Sequence, residues 1–386
     1  MKIILAPDSF KESMTAQEVC QAMAKGIYKA LPNAEITSVP MADGGEGTVS
    51  AITSTNKGKL YEATVTGPNL EKVTANYGII KDSNSELTAI IEMAQASGIG
   101  YILNSSRTPT AIKNATSYGT GELIIAALNR GVTKFIIGLG GSATNDGGAG
   151  MAQALGVKFF NDQDELIEKK LGGGDLASIA KIDLSQLDPR LKNANFILAS
   201  DVTNPLTGPN GASFTFGKQK GADDATQHLL DNNLKHYSNL IEKLTDKQIA
   251  NLPGSGAAGG LAVPLLAFVQ TKIKAGVQVV AAENHLEDKI KDADLVFTGE
   301  GGTDFQTKYG KTPFGVAQIA KKYNLPVISL AGYLGQGIDQ LYDHGFTAIF
   351  GILGQPSSLQ AALENGSENI ERTTENIMRL ILKIEQ

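Results

Sequence analysis

The sequence predicts an α/β protein of two domains: one built on a parallel sheet and drawn from both ends of the chain, the other a mixed α/β domain inserted between them. Three observations predict it. Residues 1–57 alternate strand and helix patterns, the rhythm that produces a parallel sheet. Residues 60–81 break that rhythm: two runs alternate apolar and polar around Gly67-Pro68-Asn69, which marks a hairpin and hence antiparallel strands. From about Glu283 the strand–helix alternation returns. Length agrees, since 386 residues exceed what one ordinary core accommodates. Residues 1–57 with 284–386 are therefore expected to form a doubly wound domain, Rossmann- or flavodoxin-like, and residues 58–283 the insert.

Taken in order, Lys2–Ala6 is an apolar run and reads as a buried strand. Thr15-Ala16-Gln17-Glu18 is a capping box that starts a helix running to about Ala30. Pro32-Asn33 turns the chain into a second strand, Glu35–Val39, and a helix follows Gly47. Leu60–Thr66 and Lys72–Lys81 are the hairpin strands, and Leu87–Ala94 is strand-like. Asn114–Arg130 reads as one helix closed by Gly131. Phe135–Gly138, Val157–Phe160 and Phe196–Ala199 read as strands, with a helix to about Leu155. His228–Leu244 and Leu261–Gln270 read as helices. Near the end, His285–Lys291, Thr312–Tyr323, Ile338–Asp343 and the segment from about Ser357 are helical. Asp294–Phe297, Pro326–Leu330 and Thr347–Ile352 are strands.

Composition narrows the function. Hydrophobic residues at 42% and charged residues at 19% are globular values. A net charge of −6 speaks against nucleic acid or an anionic membrane as the main partner. The longest apolar stretch, Gly256–Val269, is interrupted by Gly259, Gly260 and Pro264 and is too short to span a bilayer. Asp8 comes too early for a secretory leader, and the single cysteine, Cys20, excludes an intrachain disulfide. A cytoplasmic protein is expected. The 43 glycines are about 11% of the chain, above the roughly 7% average, and they cluster in turns.

Those turns point to the chemistry. Apolar runs end at Pro7-Asp8-Ser9-Phe10-Lys11, at Ala42-Asp43-Gly44-Gly45-Glu46-Gly47 and at Gly138–Gly148. Others end at Ser200-Asp201-Val202-Thr203-Asn204 and at Thr298-Gly299-Glu300-Gly301-Gly302-Thr303-Asp304. In an open parallel sheet, ligands bind beyond the carboxyl ends of the strands. Glycine lets backbone approach a ligand, and free N–H groups at a helix start attract phosphate. Carboxylates beside such loops would repel phosphate unless a divalent cation or a substrate hydroxyl lies between. The pattern is that of an enzyme handling phosphate with a metal.

Each segment also has a plainer reading. Asp8 or Ser9 can close a turn with Lys11 solvated. Two acids among three glycines at 42–47 exceed what a turn needs, which favours a base or metal ligand there. Gly138-x-Gly140-x-x-Ala143, with Asp162 further on, half-fits a dinucleotide fingerprint, so an NAD-dependent dehydrogenase is a distant alternative. Gly140, Gly141, Ser142 and Asn145 fit anion binding better, because the segment stays polar and glycine-rich where a dinucleotide-binding helix would be packing. Asn204, Lys218 and Gln306 are further candidate ligand contacts. Lys311, in Gly310-Lys311-Thr312, resembles the end of a phosphate loop, but Phe305 stands where that motif needs glycine. The four histidines lie outside all these turns, which leaves carboxylates, lysines, amides and a hard metal: the inventory of phosphoryl transfer to an alcohol.

Seven segments in order resemble the bacterial type I glycerate kinase family across essentially the whole chain. They are Pro7–Lys11 with Ser13, Ala42–Thr48, Gly138–Gly148, Asp201–Leu206, Phe216–Ala222, Gly254–Gly260 and Thr298–Gly301. The resemblance implies ATP-dependent phosphorylation of D-glycerate, usually to 2-phosphoglycerate, in a two-domain α/β protein with a discontinuous outer domain. With it, Asp43 is the expected base and Asp201 the second choice. Asp8, Glu300 and Asp304 are expected on metal or substrate hydroxyl. Lys11, with Ser9, Gly44, Gly45 and the Gly138–Gly148 amides, is expected around phosphate and substrate. Glycerate and ATP–Mg²⁺ are expected to meet in the interdomain cleft, and a homo-oligomer is compatible with this reading. The chain departs from the family at Gly302, where arginine is typical, and at Lys218, where proline is common. Alternatives are a kinase for another small hydroxy acid, 3-phosphoglycerate as product, and a non-catalytic metabolite sensor.

Overall fold

Both ends of the chain contribute to one sheet. The structure, a computed structural model, describes residues 1–384. The chain divides into two units. One contains Met1–Asp43, Ser50–Asn56 and the residues from Ala275 onward; the other contains Gly44–Val49 and Lys57–Lys274.

The first unit holds five parallel strands in the order Ala348–Gly351, Val327–Leu334, Leu295–Thr303, Lys2–Leu5, Glu35–Ser38. Numbered within the unit this is 2-1-3-4-5, the flavodoxin-like order, and the direction of winding reverses between Lys2–Leu5 and Leu295–Thr303. Ile3, Ile4, Leu5, Val296 and Phe297 are fully buried, as expected of strands covered on both faces. The helix Ala16–Ala30 begins at the predicted capping box. Thr15 Oγ1 accepts from Glu18 N–H at 3.3 Å, and Glu18 Oε2 accepts from Thr15 N–H at 2.8 Å. Its Val19, Met23 and Ile27 join Ile370 and Met378 of the helix Gly366–Ile384 in the core. The two helices approach closely at Gly26, where a Cβ would lie 2.3 Å from Glu371 O.

One expectation is corrected here. The sequence places a turn at Thr298–Asp304, but the strand runs on to Thr303, pairing Glu300 with Ala331 and Gly302 with Tyr333. None of Gly299, Gly301 and Gly302 has a positive φ; these glycines narrow the strand instead of turning it. Asp294 precedes the strand, which starts at Leu295.

The second unit has a six-stranded mixed sheet. Gln270–Lys274, Asn195–Ala199, Lys134–Gly138 and Leu87–Glu92 are parallel, and Lys72–Lys81 and Lys59–Thr66 extend it as the predicted antiparallel hairpin. A separate ribbon pairs Lys158–Phe160 with Lys181–Asp183. The helix expected over Leu261–Gln270 ends at Phe268. Thr271 and Ile273, β-branched and alternating with exposed neighbours, begin an edge strand instead. Of the helix expected over Asn114–Arg130 only Tyr118–Leu128 is helical after Asn114, which ends a separate helix, Pro109–Asn114. The two helices break because Ser117 turns its N–H and Oγ onto the Asp146 carboxylate, at 2.8 and 2.7 Å. No helix among the described residues is long and apolar enough to cross a membrane.

Gly26→Val would force the two packed helices apart, and a loss of about 1–3 kcal/mol is expected from such overpacking. Urea denaturation of the purified variant measures it; unchanged stability would mean that the helices separate freely at that crossing.

Candidate active site

Loops leaving two neighbouring parallel strands diverge where the winding reverses, and the crevice they leave is a natural ligand site. A cavity of about 620 Å³ lies there in the first unit, with Asp8, Ser9, Lys11, Asp43, Glu300 and Lys311 among its lining. Asp8 is anchored from both sides: Oδ1 accepts from Ser9 N–H at 2.6 Å and Ser9 Oγ at 3.2 Å, and Oδ2 accepts from Thr312 Oγ1. Burial pushes the Asp8 carboxyl up to about 7; the charges of Asp43 and, less strongly, Glu300 add to the rise, against the Thr312 and Ser9 hydrogen bonds. Glu300 Oε1 accepts from Thr303 Oγ1 at 3.0 Å and Thr307 Oγ1 at 2.7 Å. Its Oε2 pairs with Lys311 Nζ at 3.2 Å, and Lys311 also donates to Gly302 O at 2.9 Å. Burial still raises the Glu300 pKa despite these partners.

Three carboxylates around one cavity, two of them with raised pKa, make a site suited to a cation or to a ligand that brings hydrogen-bond donors. Their hard oxygens fit Mg²⁺, which is commonly held by one or two carboxylates plus the substrate's phosphates. No cluster of three or more His, Cys, Asp or Glu side chains forms an all-protein metal cage among the described residues. Asp304 lies just outside the cavity lining. Its carboxylate accepts from Gln306 N–H at 2.8 Å and caps the short helix Phe305–Tyr309. Gln306 meets Asp304 there through its backbone.

The glycine-rich loop belongs to the second unit and lies against the Gly44–Gly45 backbone. A Cβ on Gly138 would sit 2.4 Å from Gly44 O, and one on Gly140 would sit 2.8 Å from Gly45 Cα. The two glycine motifs are therefore fitted to each other. Glu92, buried at the end of its strand, accepts from Val49 N–H at 2.8 Å and holds the start of the helix Thr48–Thr55 that follows this loop. Beneath Gly140 and Gly141, which are exposed, the loop is tied down by two buried ionisable groups. Asp146 accepts from Ser117, from Gly148 N–H at 3.1 Å and from Gly150 N–H at 3.3 Å. Lys220 Nζ donates to Ser142 Oγ and to Thr144 O, both at 2.7 Å. Asn145 Nδ2 donates to Ser213 Oγ at 2.9 Å, while its buried Oδ1 has no hydrogen-bond partner among the described residues.

Of the remaining predicted site residues, Asp201 is half-buried just past the strand Asn195–Ala199. Asn204 Nδ2 donates to Asn210 O at 2.8 Å and to Thr215 Oγ1 at 3.3 Å, which places it as a loop brace. Lys218 is exposed and paired with Asp224 at 3.2 Å. Sequence reasoning missed Lys220, although it lies in the same Phe216–Gly221 segment. No local signal separates the two lysines: both lie in the short turn Lys218–Lys220, which ends at Gly221 with φ +103, and only their tertiary surroundings differ. Thr312 was also missed; its position as first residue of the helix Thr312–Lys321 directs its hydroxyl to Asp8.

A flavodoxin-like domain whose switch point gathers acids and lysines, together with a braced glycine loop, defines an enzyme that works on small phosphorylated or phosphate-accepting molecules. Comparison with known proteins specifies the class. The profile of the Glycerate kinase family matches residues 3–382. The chain is 48% identical to the Glycerate 2-kinase of Escherichia coli K12, over 98% of this chain and 97% of that one. It is 47% identical to the Glycerate kinase of Halalkalibacterium halodurans, over 97% of each. A crystal structure from Salmonella typhimurium LT2, provisionally named glycerate kinase 2, superposes with a TM-score of 0.88 at 44% identity, covering 100% of this chain and 99% of that one. The chain belongs to the glycerate kinase family and is a kinase, with the two α/β parts that the sequence predicted.

Burial holds the Lys220 ammonium down to a pKa of about 7, against the charge of nearby Asp146, which acts in the opposite direction. A lysine depressed in this way costs the fold nothing above its ordinary value of 10.5; the cost grows as pH falls toward 7 and is level below. Lys220→Met is therefore expected to gain stability relative to the parent protein as pH is lowered from about 10 to about 7. Paired thermal melts across that range check it; a difference sloping the other way would mean that the Asp146 charge outweighs burial and holds the ammonium charged.

Proposed function

We propose that the protein is a cytoplasmic, ATP- and Mg²⁺-dependent kinase that phosphorylates D-glycerate to 2-phospho-D-glycerate. The observation that carries this reading is the convergence of Asp8, Asp43, Glu300, Lys11 and Lys311 on one cavity at the switch point. A relative at 48% identity named Glycerate 2-kinase supports the choice of acceptor and hydroxyl.

In this reading, Asp43 orients the acceptor hydroxyl and takes its proton as the oxygen attacks the terminal phosphorus of ATP, and ADP departs. Asp201 is the second choice for that base. Asp8 and Glu300 are the carboxylates placed to hold Mg²⁺ or a substrate hydroxyl. Asp304 supports them by capping the segment that supplies Thr307 to Glu300. When bound, Mg²⁺ neutralises charge on the phosphates. In the first unit Lys11 and Lys311 supply positive charge for anionic groups, and in the second the Gly140, Gly141 and Ser142 backbone offers N–H donors. Lys220 keeps the Ser142–Thr144 backbone in place from below. Proton transfer from the hydroxyl, not tight ground-state binding, is what Asp43 contributes, so its loss acts on turnover.

Phosphorus NMR of the protein with ATP, Mg²⁺ and D-glycerate tests the reaction. A 2-phosphoglycerate signal is expected; 3-phosphoglycerate would overturn the hydroxyl, and turnover only with another hydroxy acid would overturn the substrate. Asp43→Asn is expected to lower kcat by about 10²–10⁴ with the fold retained. Near-normal kcat in the folded variant would move the base to Asp201.

A further inference from the structure

The switch-point cavity has lining residues that its carboxylates and lysines do not explain. Tyr333 is 66% exposed, Leu353 45% and Leu359 72%, and all three line the same cavity as Asp8 and Lys311. Large apolar side chains left uncovered inside a ligand cavity call for an apolar ligand surface. Glycerate, three carbons each bearing oxygen, has none to offer. Gly302 sharpens the point. It pairs with Tyr333 across neighbouring strands, and its backbone does not require glycine, since its φ is not positive. A Cβ there would meet only Tyr333 Cδ1, at an ordinary 3.8 Å. The missing side chain thus leaves room beside the ring. The charged lining begins directly alongside, where Lys311 Nζ binds Gly302 O.

A cavity lined both by an open aromatic ring and two leucines and by lysines with carboxylates matches a ligand that is planar and apolar in one part and polyanionic in another. We propose that Tyr333, Leu353 and Leu359 seat the purine ring of the nucleotide, with Gly302 keeping the face of the Tyr333 ring accessible and Lys311 at the junction with the phosphates. This rests on the kinase reading above and assigns the base-binding part of that site.

The test is isothermal titration with ADP, together with steady-state kinetics in ATP and in D-glycerate, for the full-length protein and for Tyr333→Ala, Tyr333→Phe and Gly302→Ile. Tyr333 is largely exposed, so its replacement spares the core, and thermal melts confirm the fold. Loss of one base–aromatic stack predicts a rise of roughly 5- to 100-fold in the ADP Kd and the ATP KM for Tyr333→Ala. The glycerate KM should stay within about twofold, and Tyr333→Phe should bind like the parent protein because only the ring is used. Gly302→Ile is expected to weaken ADP in the same direction by filling the space beside the ring. If the parent protein binds ADP and Tyr333→Ala binds it equally well, the purine seat is elsewhere. If only the glycerate KM rises, the apolar lining belongs to the acceptor. ADP binding by the parent protein without phosphorylation of any hydroxy acid would sink the kinase reading while the ADP titrations still decide the purine seat.

Discussion

The parallel pairing of Lys2–Leu5 with Leu295–Thr303 is the contact on which the site depends. It continues past the end of the first strand: Ala6 N–H donates to Phe297 O at 2.8 Å, Asp8 N–H to Gly299 O at 2.9 Å, and Thr298 Oγ1 to Ala6 O at 2.8 Å. Backbone bonds therefore fix Asp8 and Glu300 relative to each other, and the two carboxylates need no direct contact to stay in place. Met41 N–H donates to Pro7 O at 2.9 Å and brings Asp43 alongside by the same means. Backbone geometry on a rigid sheet is the most exact way to hold reacting groups. Its consequence is a buried carboxyl with like charge nearby: burial first, and the Asp43 charge second, raise the pKa of Asp8. A ligand that brings positive charge or hydrogen-bond donors favours the charged form of these carboxyls.

The second unit solves a related problem with buried charge. Asp146 and Lys220 lie in the interior, and their hydrogen bonds go largely to backbone and hydroxyl groups of the glycine loop and its neighbours. Groups so placed are costly to bury and contribute little net stability. Their return is a loop whose amides point in fixed directions before any ligand arrives, as electrostatic stabilisation of a developing anion requires. Fitted against Gly44–Gly45 at Gly138 and Gly140, the loop has little freedom to rearrange.

Much of this was legible in the sequence, for identifiable reasons. The Thr15–Glu18 capping box, the Gly67-Pro68-Asn69 hairpin and the buried apolar strands are local signals, and the structure follows them closely. Asp8, Asp43, Glu300 and Lys11 were recognisable as charged residues at strand ends and Lys311 at a helix start, and all five line one cavity. What local signals could not carry was tertiary choice. Glycines in Thr298–Thr303 look like a turn, yet they extend a strand because Val327–Leu334 is there to pair with them. The helical pattern of 114–130 gives no hint that Ser117 has a buried partner 29 positions on. Lys218 and Lys220 differ only in what surrounds them, and Tyr333 becomes a candidate only once its exposure inside a cavity is visible.

The insertion of one unit into the other also sets the order in which a growing chain can fold. The first strand, Lys2–Leu5, lies second from one edge of its sheet and lacks its inner neighbour until Leu295–Thr303 has been made. The second unit closes its sheet with Gln270–Lys274, which is synthesised earlier. A chain emerging from its N-terminus can thus complete the inserted unit while the surrounding one still has an open edge, and that edge is an aggregation hazard during synthesis. The four-residue Lys2–Leu5 keeps that waiting edge short.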